Sequence, residues 1–545
     1  MGQTGRSGCV LPSGIATDDT TKFFFQDVVE TRSLISLFDF ENKLQIFTGV
    51  APVMKFCLFT TGSPLSSAAE SATFVFFAHQ IEDLADLGRR FTLTPKDIGL
   101  LNPNTRTCPI FRSRRDAELT KAIYRRVPVL IREARNGQLE ENPWGIKFST
   151  MFHMSNDSHL FRTREQLDSE GWTLEGNIFC RGNEQCLPLY ESKLFHQFNH
   201  RPSTFDGIAE SDRFKMKAPT IASTSDQLSD PHYATLPRFW VNKSNVDEAC
   251  RSFSSVQSFV AFRGMTNVMT NSRNAVFAVL PRVAVANSAP ICFFLREEQV
   301  HSFLGAVDSF AFDYATRQKL AGGNMNFFIV NQLPVLPSSG FLQPCAWAGA
   351  DSQGATGSPL SAWLLPRVLE LTYTAWDLEP FACDCGYDGP PFCWDDDRRF
   401  LLRAELDAAF FHLYLPVNAN GDWLPANKAD GCPHDESSED LTRLKESFPT
   451  PRDAVSYIMD TFPIVRRKDE AAHNGDYRTK RVILEIYEAM QESRRTGQPY
   501  QTSLDPPPGP STDSDGKFIP VAEWDKSNWP SHIHPPRSGK ARTGL

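Results

Sequence analysis

The sequence predicts a mixed fold with an α/β segment at the N-terminus, an α+β middle region and a mostly helical C-terminal part. Residues 5–63 alternate short apolar runs with one helix-like stretch, which is typical of an α/β sheet. Mixed strands and proline-rich turns follow, and helical periodicity dominates from Leu364 onwards. These patterns divide the 545 residues into four consecutive regions, at 1–63, 64–375, 376–500 and 501–545.

The N-terminal segment contains three predicted strands and one predicted helix. Apolar runs at 8–12, 33–40 and 54–60 have the length and composition of strands. Between the first two runs, Thr17 and the polar residues after it can act as N-caps for a helix that we expect to reach Val29.

Residues 317–337 are the most particular run of the middle region. The cations Arg317 and Lys319 lead through Gly322-Gly323 to the amides of Asn324 and Asn326, and an apolar run follows that we expect to form a strand. Glycine permits close approach to a ligand, and Arg, Lys and Asn suit phosphates and base edges. On these residues alone, an ordinary turn before a buried strand is the simpler alternative.

A second basic segment runs from Arg112 to Arg135, where eight basic and three acidic residues give a local balance of +5, although the whole chain carries −9. Local charge governs contact with nucleic acid more than the total does. The alternative is a solvated basic helix. The candidate phosphate contacts are Arg112, Arg114, Arg115, Lys121, Arg125 and Arg126.

The C-terminal part contains two runs with strong helical character. Residues 396–411 are rich in good helix formers, and residues 479–490 place apolar side chains on one stripe, as core packing requires. Past Gln501 the chain is rich in proline and polar residues, so we expect a disordered tail.

Composition indicates a cytoplasmic protein. No apolar run approaches the roughly 20 residues of a membrane-spanning helix, and the first residues lack a signal-peptide core. Twelve scattered cysteines are few for 545 residues and favour a reducing compartment. The spacing of Cys383 and Cys385 does not fit paired zinc ligands, so no metal is expected.

Several blocks resemble, in the same order, the C-terminal half of large adenine-specific DNA methylases. These are enzymes of single-chain restriction-modification systems and of related BREX- and DISARM-like phage-defence systems. The blocks are Leu101–Phe111, Leu187–Arg201, Leu236–Val241, Leu280–Val285, Leu304–Pro337 and Leu371–Asp377.

The resemblance implies a function for each region. Residues 1–63 would be the last strands of a Rossmann-like methyltransferase sheet, and residues 64–375 the target-recognition region. Double-stranded DNA would be the partner. Arg317, Lys319, Asn324 and Asn326 would then be candidate base or groove readers.

The motifs for methyl transfer are missing from the sequence. The family binds S-adenosylmethionine with a glycine-rich loop and holds the adenine amine with an Asp/Asn-Pro-Pro-aromatic tetrapeptide. The chain has no Gly-x-Gly, Asn142-Pro143-Trp144 has one proline, and Asp388–Phe392 has an inserted glycine and lies in the helical part. We therefore expect no catalytic or donor-binding residues here, and a separate polypeptide that carries the N-terminal half of the enzyme.

Two alternatives to a DNA-reading methylase part remain, a nuclease and a non-functional fragment. Glu191 and Lys193 form a Glu-x-Lys pattern with Asp168 upstream, as in Mg²⁺-dependent nucleases. The chain could instead be a non-functional gene fragment. In addition, His196 and His200 are four residues apart and would share a helix face that could bind metal, although structural histidines are the simpler interpretation.

Overall fold

The computed structural model gives a mixed α/β protein with several sheets. It describes residues 5–63, 70–135, 137–215, 217–251, 256–268, 270–296, 299–320, 323–348, 357–513 and 516–537.

The described residues form sixteen strands and eighteen α-helices. The strands are β1 (Arg6–Pro12), β2 (Leu34–Glu41), β3 (Lys55–Gly62), β4 (Ala72–Ala78), β5 (Phe91–Leu93), β6 (Lys147–Ser149), β7 (Thr173–Glu175), β8 (Ile178–Arg181), β9 (Glu184–Tyr190), β10 (Ser203–Thr204), β11 (Ile221–Ala222), β12 (Trp240–Asn242), β13 (Ser258–Phe262), β14 (Phe277–Pro281), β15 (Ala284–Val285) and β16 (Ile291–Phe293).

The helices are α1 (Gly14–Thr17), α2 (Lys22–Glu30), α3 (Pro95–Leu101), α4 (Arg114–Arg126), α5 (Arg164–Ser169), α6 (Glu210–Arg213), α7 (Ser225–Ser229), α8 (Lys243–Ala249), α9 (Val300–Val307), α10 (Phe310–Arg317), α11 (Phe327–Val330), α12 (Leu360–Thr372), α13 (Glu379–Asp384), α14 (Asp396–Tyr414), α15 (Ser438–Ser447), α16 (Pro451–Asp460), α17 (Pro463–Ala472) and α18 (Arg478–Thr496). Within the described part, no helix is both long and apolar enough to cross a membrane.

The chain divides into two compact units, each built from three stretches of sequence. Unit 1 combines 1–142, 314–337 and 412–462, and unit 2 combines 143–313, 338–411 and 463–545. The sequence predicted four consecutive regions, so the observed division differs from that prediction. Local composition does not reveal which distant segments pack together, because such contacts join residues far apart in the chain.

Unit 1 contains a five-stranded sheet in the order β1-β3-β2-β4-β5. β3 is antiparallel to both β1 and β2, so β1 and β2 run in the same direction, and β4 is parallel to β2. The carboxyl ends of β1, β2 and β4 therefore lie at one edge of the sheet. In α/β sheets ligands bind outside such edges.

The first three strands lie where the sequence predicted them, with α2 between β1 and β2. Phe40, Val75 and Ala78 form a buried cluster in this sheet. β1 lies at the edge of the sheet and pairs only with β3 among the described strands. Its residue Val10 is 56% exposed.

The predicted strand in the 317–337 run is a short helix, α11. The Val330 N–H donates to the Asn326 carbonyl 3.1 Å away, as in a helical turn. A short apolar run does not distinguish a strand from a buried helical turn, because both bury consecutive side chains.

Besides a two-stranded sheet of β10 and β11, unit 2 contains two larger sheets that share one hydrophobic core. One has the order β12-β9-β8-β7, with β15 also paired to β9, and the other has the order β14-β13-β16-β6. Leu187 and Val241 from the first sheet pack in the same cluster as Phe259 and Ala278 from the second.

The two predicted C-terminal helices are present as α14 and α18. The expected disorder after Gln501 is wrong for 501–513 and 516–537. The Gly509 N–H donates to Glu370 Oε2 at 2.8 Å, and His532 and Ile533 are buried. Proline restricts the backbone of this segment, so a few buried contacts are enough to hold it in one conformation.

Candidate nucleic-acid interface

Helix α4 separates the predicted phosphate contacts into two groups. It begins after Ser113, whose hydroxyl accepts the Asp116 N–H at 3.1 Å. From Asp116 onwards every residue of the helix is buried, whereas Arg112, Arg114 and Arg115 are exposed. The basic residues before and within the first turn therefore face solvent, and the later ones face the interior of unit 1.

The later group forms internal ion pairs, so its assignment to phosphate contacts is corrected. Its members are Lys121 with Glu118 at 2.8 Å, Arg125 with Asp440 at 2.9 Å and Arg126 with Glu436 at 2.6 Å. A phosphate could reach these cations only after the pairs had opened. Two of the acidic partners lie more than 300 residues downstream, which local charge counting cannot detect.

The exposed group is held in place mainly by aromatic rings. The Arg112 guanidinium lies 4.0 Å from the ring centroid of Phe77. Arg115 lies 4.3 Å from the Tyr457 ring and donates to the Ser447 carbonyl at 3.2 Å. The Arg114 side chain has no ion-pair partner in the described part of the chain. Stacking on a ring orients a guanidinium without neutralising its charge.

Further cations, which the sequence analysis missed, surround Phe77. Lys55 lies 4.2 Å from its ring, and the Arg89 guanidinium is 3.5 Å from its carbonyl oxygen. The Arg114 N–H donates to the Gly88 carbonyl at 2.8 Å and so brings the Arg89-Arg90 segment beside α4. The paired arginines just before β5 were the available sequence signal. We define the Phe77 cluster as Lys55, Phe77, Arg89, Arg90, Arg112 and Arg114.

Phe77 has an unusual backbone conformation, with φ of 57°. A bulky residue rarely adopts this left-handed region, and such strain often occurs at functional sites. The pairing of β4 with β2 is irregular here, and the Phe77 N–H donates to Asp39 Oδ2 at 3.2 Å instead. Asp39 is buried and also accepts the Ser13 hydroxyl. Burial raises the pKa of Asp39.

Three carboxylates lie beside the Phe77 cluster: Asp83 and Asp86 are 3.4 and 3.7 Å from Arg89, and Glu41 lies near Lys55. Glu41 accepts hydrogen bonds from Lys43 and His79, at 2.7 and 3.0 Å. Burial alone would raise the pKa of Glu41, but these hydrogen bonds lower it to about 2. Glu41 also lies 3.5 Å from Lys55, so it offsets part of the local charge at the base of the cluster.

The four candidate base readers also fall into two groups, one committed to contacts inside unit 1 and one at a cavity. The Arg317 guanidinium donates to the Thr461 carbonyl at 2.5 Å and lies 4.5 Å from the Phe462 ring, so it is committed within unit 1. Its assignment as a base reader is corrected. Lys319 donates to the Leu101 carbonyl and to Asn102 Oδ1. Burial holds its pKa well below the ordinary value.

Lys319, Asn324 and Asn326 line a cavity of about 160 Å³. Thr17 and Asp18, at the end of α1, also line the cavity. Asn324 and Asn326 are exposed and offer amide donors and acceptors to solvent. Of the Gly322-Gly323 turn, Gly323 lines the cavity and Gly322 lies outside the described residues. Three of the four candidate readers thus meet at one place.

The nuclease pattern does not form a metal site. Glu191 is buried and accepts two hydrogen bonds from Arg238, at 2.6 and 2.7 Å. Lys193 donates to the Ala218 carbonyl at 2.6 Å, and Asp168 is exposed with Arg164 as its neighbour. The described residues hold no cluster of three or more His, Cys, Asp or Glu placed to bind a metal ion.

The histidine pair does not share a helix face. The His196 backbone pairs with Asn199 in a tight turn, and His200 Nε2 lies 2.9 Å from Asp377. The neighbouring Arg201 is fully buried and donates to backbone carbonyls, including that of Tyr233 at 2.8 Å. These contacts show that His196, His200 and Arg201 hold the local fold together.

The Asp388–Phe392 segment is a buried turn. The Tyr373 hydroxyl donates to the Gly389 carbonyl at 3.2 Å, and the Tyr387 hydroxyl donates to the Pro390 carbonyl at 2.9 Å. Phe392 is fully buried. The Gly389 and Pro390 carbonyls thus each already accept a hydrogen bond from within the protein. The segment therefore does not present the arrangement that the methylase tetrapeptide would need to hold an amine.

Comparison with known proteins gave structural similarities alone. No protein-family model matches the sequence, and neither does any curated protein. One similar structure is the type IIL restriction-modification enzyme MmeI in complex with DNA, with 11% identity, a TM-score of 0.35 and coverage of 84% of this chain and 50% of that one. Another is the type IIG restriction endonuclease BpuSI, with 11% identity, a TM-score of 0.28 and coverage of 84% and 47%. The chain thus spans about half the length of either enzyme.

Proposed function

We propose that this chain binds double-stranded DNA as the target-recognition part of a site-specific adenine-N6 DNA methylase of a restriction-modification or phage-defence system. The observation that carries the proposal is the exposed arginine surface around Phe77 and the start of α4. Arg112 and Arg115 are oriented by aromatic rings. Arg114 lies between them in the sequence and has no acidic partner in the described residues.

This surface has the chemistry that phosphate contacts need. Guanidinium groups form paired hydrogen bonds with phosphate oxygens and keep their charge at any physiological pH. Because the arginines are already positioned, binding would cost less side-chain entropy than it costs a mobile chain. Such contacts provide affinity and set the position of the protein on the duplex, but they do not read sequence.

Sequence reading is assigned to the cavity that contains Asn324 and Asn326. Asparagine amides can pair with the N6 and N7 positions of adenine in the major groove. Both side chains are exposed, and Lys319 lies in the same cavity. The division into arginine anchors and asparagine readers is the usual arrangement at DNA interfaces.

Methyl transfer is assigned to another polypeptide that would complete the sheet of unit 1. β1 has no second neighbour among the described strands, and its apolar residue Val10 is 56% exposed. An exposed edge strand is a ready template for pairing with a further strand. The chain offers no donor loop or Pro-Pro tetrapeptide of its own.

DNA binding can be tested by fluorescence anisotropy with a labelled duplex and the Arg114→Glu/Arg115→Glu variant. We expect roughly 10- to 100-fold weaker binding at low salt, because two attractive contacts become repulsive. The matched control is Arg251→Glu, which reverses an exposed arginine of unit 2 that is 79% exposed. Equal affinity of the double variant and the wild type would contradict the proposed surface.

The assignment of catalysis has its own test. The purified chain is incubated with DNA and radiolabelled S-adenosylmethionine, without a second polypeptide. We expect no methyl incorporation, because neither catalytic motif is in the sequence. Incorporation above that of a DNA-free control would show that the chain itself contains the catalytic site.

A further inference from the structure

Unit 2 contains a cavity of about 730 Å³ on one face of the β12-β9-β8-β7 sheet. Phe179 and Cys186 point to the other face, into a hydrophobic cluster with Trp240. The alternating residues Ile178 and Gln185 line the cavity. Its volume lies within the range of small-molecule sites, about 300–1,000 Å³.

One wall of the cavity is aromatic and acidic. Trp376 and Tyr233 line it, and the backbone N–H of Trp376 donates to the Pro231 carbonyl at 3.1 Å. Asp377 is fixed from behind by buried His200, whose Nε2 lies 2.9 and 3.0 Å from the two carboxylate oxygens, yet its side chain is 30% exposed. Glu379, two residues further along the chain, has no ion-pair partner in the described residues.

Another part of the lining carries a cation that is not committed elsewhere. Lys243 at the start of α8 has no acidic partner in the described part of the chain. Arg282, which also lines the cavity, is already engaged: it pairs with Asp247 at 2.9 Å and donates to the Val256 carbonyl at 2.8 Å. Lys243 is therefore the residue available to an anionic group of a ligand.

We propose that this cavity binds a purine nucleoside monophosphate. The aromatic surface of Trp376 and Tyr233 suits a flat ring, the carboxylates of Asp377 and Glu379 accept ring or exocyclic N–H groups, and Lys243 pairs with the phosphate. An inorganic anion would leave most of the volume unfilled. A purely apolar ligand would bury these charged groups without partners, which is costly.

Arg537 adds a second contact to this site. Its guanidinium lies 3.9 Å from the Trp376 ring, so the segment that ends the described chain covers part of the aromatic surface. A planar cation already stacked on this ring shows that the ring accepts flat groups. Lys243 and Glu379 also line the cavity, so the proposed contacts with the phosphate and with the N–H groups do not involve Arg537.

The test is isothermal titration of the full-length chain with AMP, GMP, adenosine and inorganic phosphate. We expect saturable binding of AMP or GMP, at least about tenfold tighter than adenosine, because the phosphate adds a charge-assisted contact. Lys243→Ala should remove that preference and leave adenosine binding unchanged. Glu379→Gln should weaken AMP and adenosine alike. Lys526→Ala, an exposed lysine of unit 2, is the control.

Each outcome of these titrations either supports or overturns the proposed site. The proposal is overturned if neither AMP nor GMP binds saturably, or if Lys243→Ala or Glu379→Gln binds AMP with wild-type affinity. Equal thermal unfolding midpoints of the variants and wild type exclude misfolding as the cause of lost binding. A short single-stranded oligonucleotide that competes with AMP would identify the source as a nucleotide within a strand, and failure to compete would identify the free nucleotide. Neither result depends on duplex binding by unit 1.

Discussion

Arg126 and Glu436 form a bidentate ion pair inside unit 1, with Nη1 to Oε1 at 3.1 Å and Nη2 to Oε2 at 2.6 Å. The two side chains are 2% and 0% exposed. Arg126 also donates to the Leu424 carbonyl at 3.0 Å. The pair joins the end of α4 to the 412–462 segment of unit 1, and it accounts for a cation that sequence alone assigned to DNA.

Removing one partner of this pair should destabilise the protein strongly. Glu436→Ala leaves a buried guanidinium without its counterion, so we expect a loss of about 3–5 kcal/mol in the free energy of unfolding. Denaturant unfolding measures this change. Glu439→Ala removes an exposed partner of Arg443 on α15 and should cost less than about 1 kcal/mol. Similar losses in both variants would contradict the distinction between buried and exposed pairs.

Glu191 and Lys193 should also behave as structural residues. Glu191→Ala would leave the buried Arg238 unpaired, and we expect a loss of about 3–5 kcal/mol in unfolding free energy. Lys193→Ala should leave any Mg²⁺-dependent DNA cleavage of the preparation unchanged. Cleavage that disappears in Lys193→Ala, while the variant unfolds at the wild-type temperature, would restore the nuclease hypothesis.

Asp407 should make stability depend on pH. Burial raises its pKa from 3.8 to about 6, although Arg273 and the Phe310 N–H, which it accepts at 2.7 Å, act in the opposite direction. The folded protein thus holds this proton more tightly than the unfolded chain does. The corresponding stability is present at low pH and is lost as pH rises from 3.8 to about 6.

Asp407→Asn keeps the acceptor for Phe310 and removes the ionisation. We therefore expect the variant to be more stable than wild type by about 1–3 kcal/mol near pH 7.5, with a smaller difference near pH 5. Denaturant unfolding at the two pH values checks this. A difference that grows as pH falls would mean that the pKa of Asp407 is lowered in the folded protein.

Several elements of the fold could be predicted because their signals are local. The runs at 8–12, 33–40 and 54–60 have strand composition and became β1, β2 and β3. Good helix formers over 396–411 became most of α14. Over such lengths, propensity and apolar spacing agree with tertiary packing.

The rest depends on contacts between distant residues. The charge on α4 gave no sign that Arg125 would meet Asp440, and nothing near Glu191 indicated Arg238. The left-handed conformation of Phe77 arises from a ladder irregularity between β2 and β4, which no residue pattern in either strand reveals. The exposed and buried cations of one basic segment therefore could not be told apart before the fold was known.

Asn324 and Asn326 should affect sequence discrimination more than total affinity. Alanine at both positions removes amide contacts to base edges, each worth about 1–3 kcal/mol of discrimination. We expect the enrichment of preferred sites in a randomised duplex library to fall, while binding to non-specific DNA stays within about twofold. Asn528→Ala, at an exposed position of unit 2, is the control. Unchanged site enrichment in the double variant would exclude these residues as readers.

The most direct test of the account is the salt dependence of DNA binding. The observed association constant is measured over a series of salt concentrations for wild type and for the Arg112→Ala/Arg114→Ala/Arg115→Ala variant. If each arginine contacts one phosphate, the slope of log K against log salt should decrease in magnitude by about 2–3. The same slope for both proteins would contradict the claim that the exposed arginines beside Phe77 and at the start of α4 bind the DNA backbone.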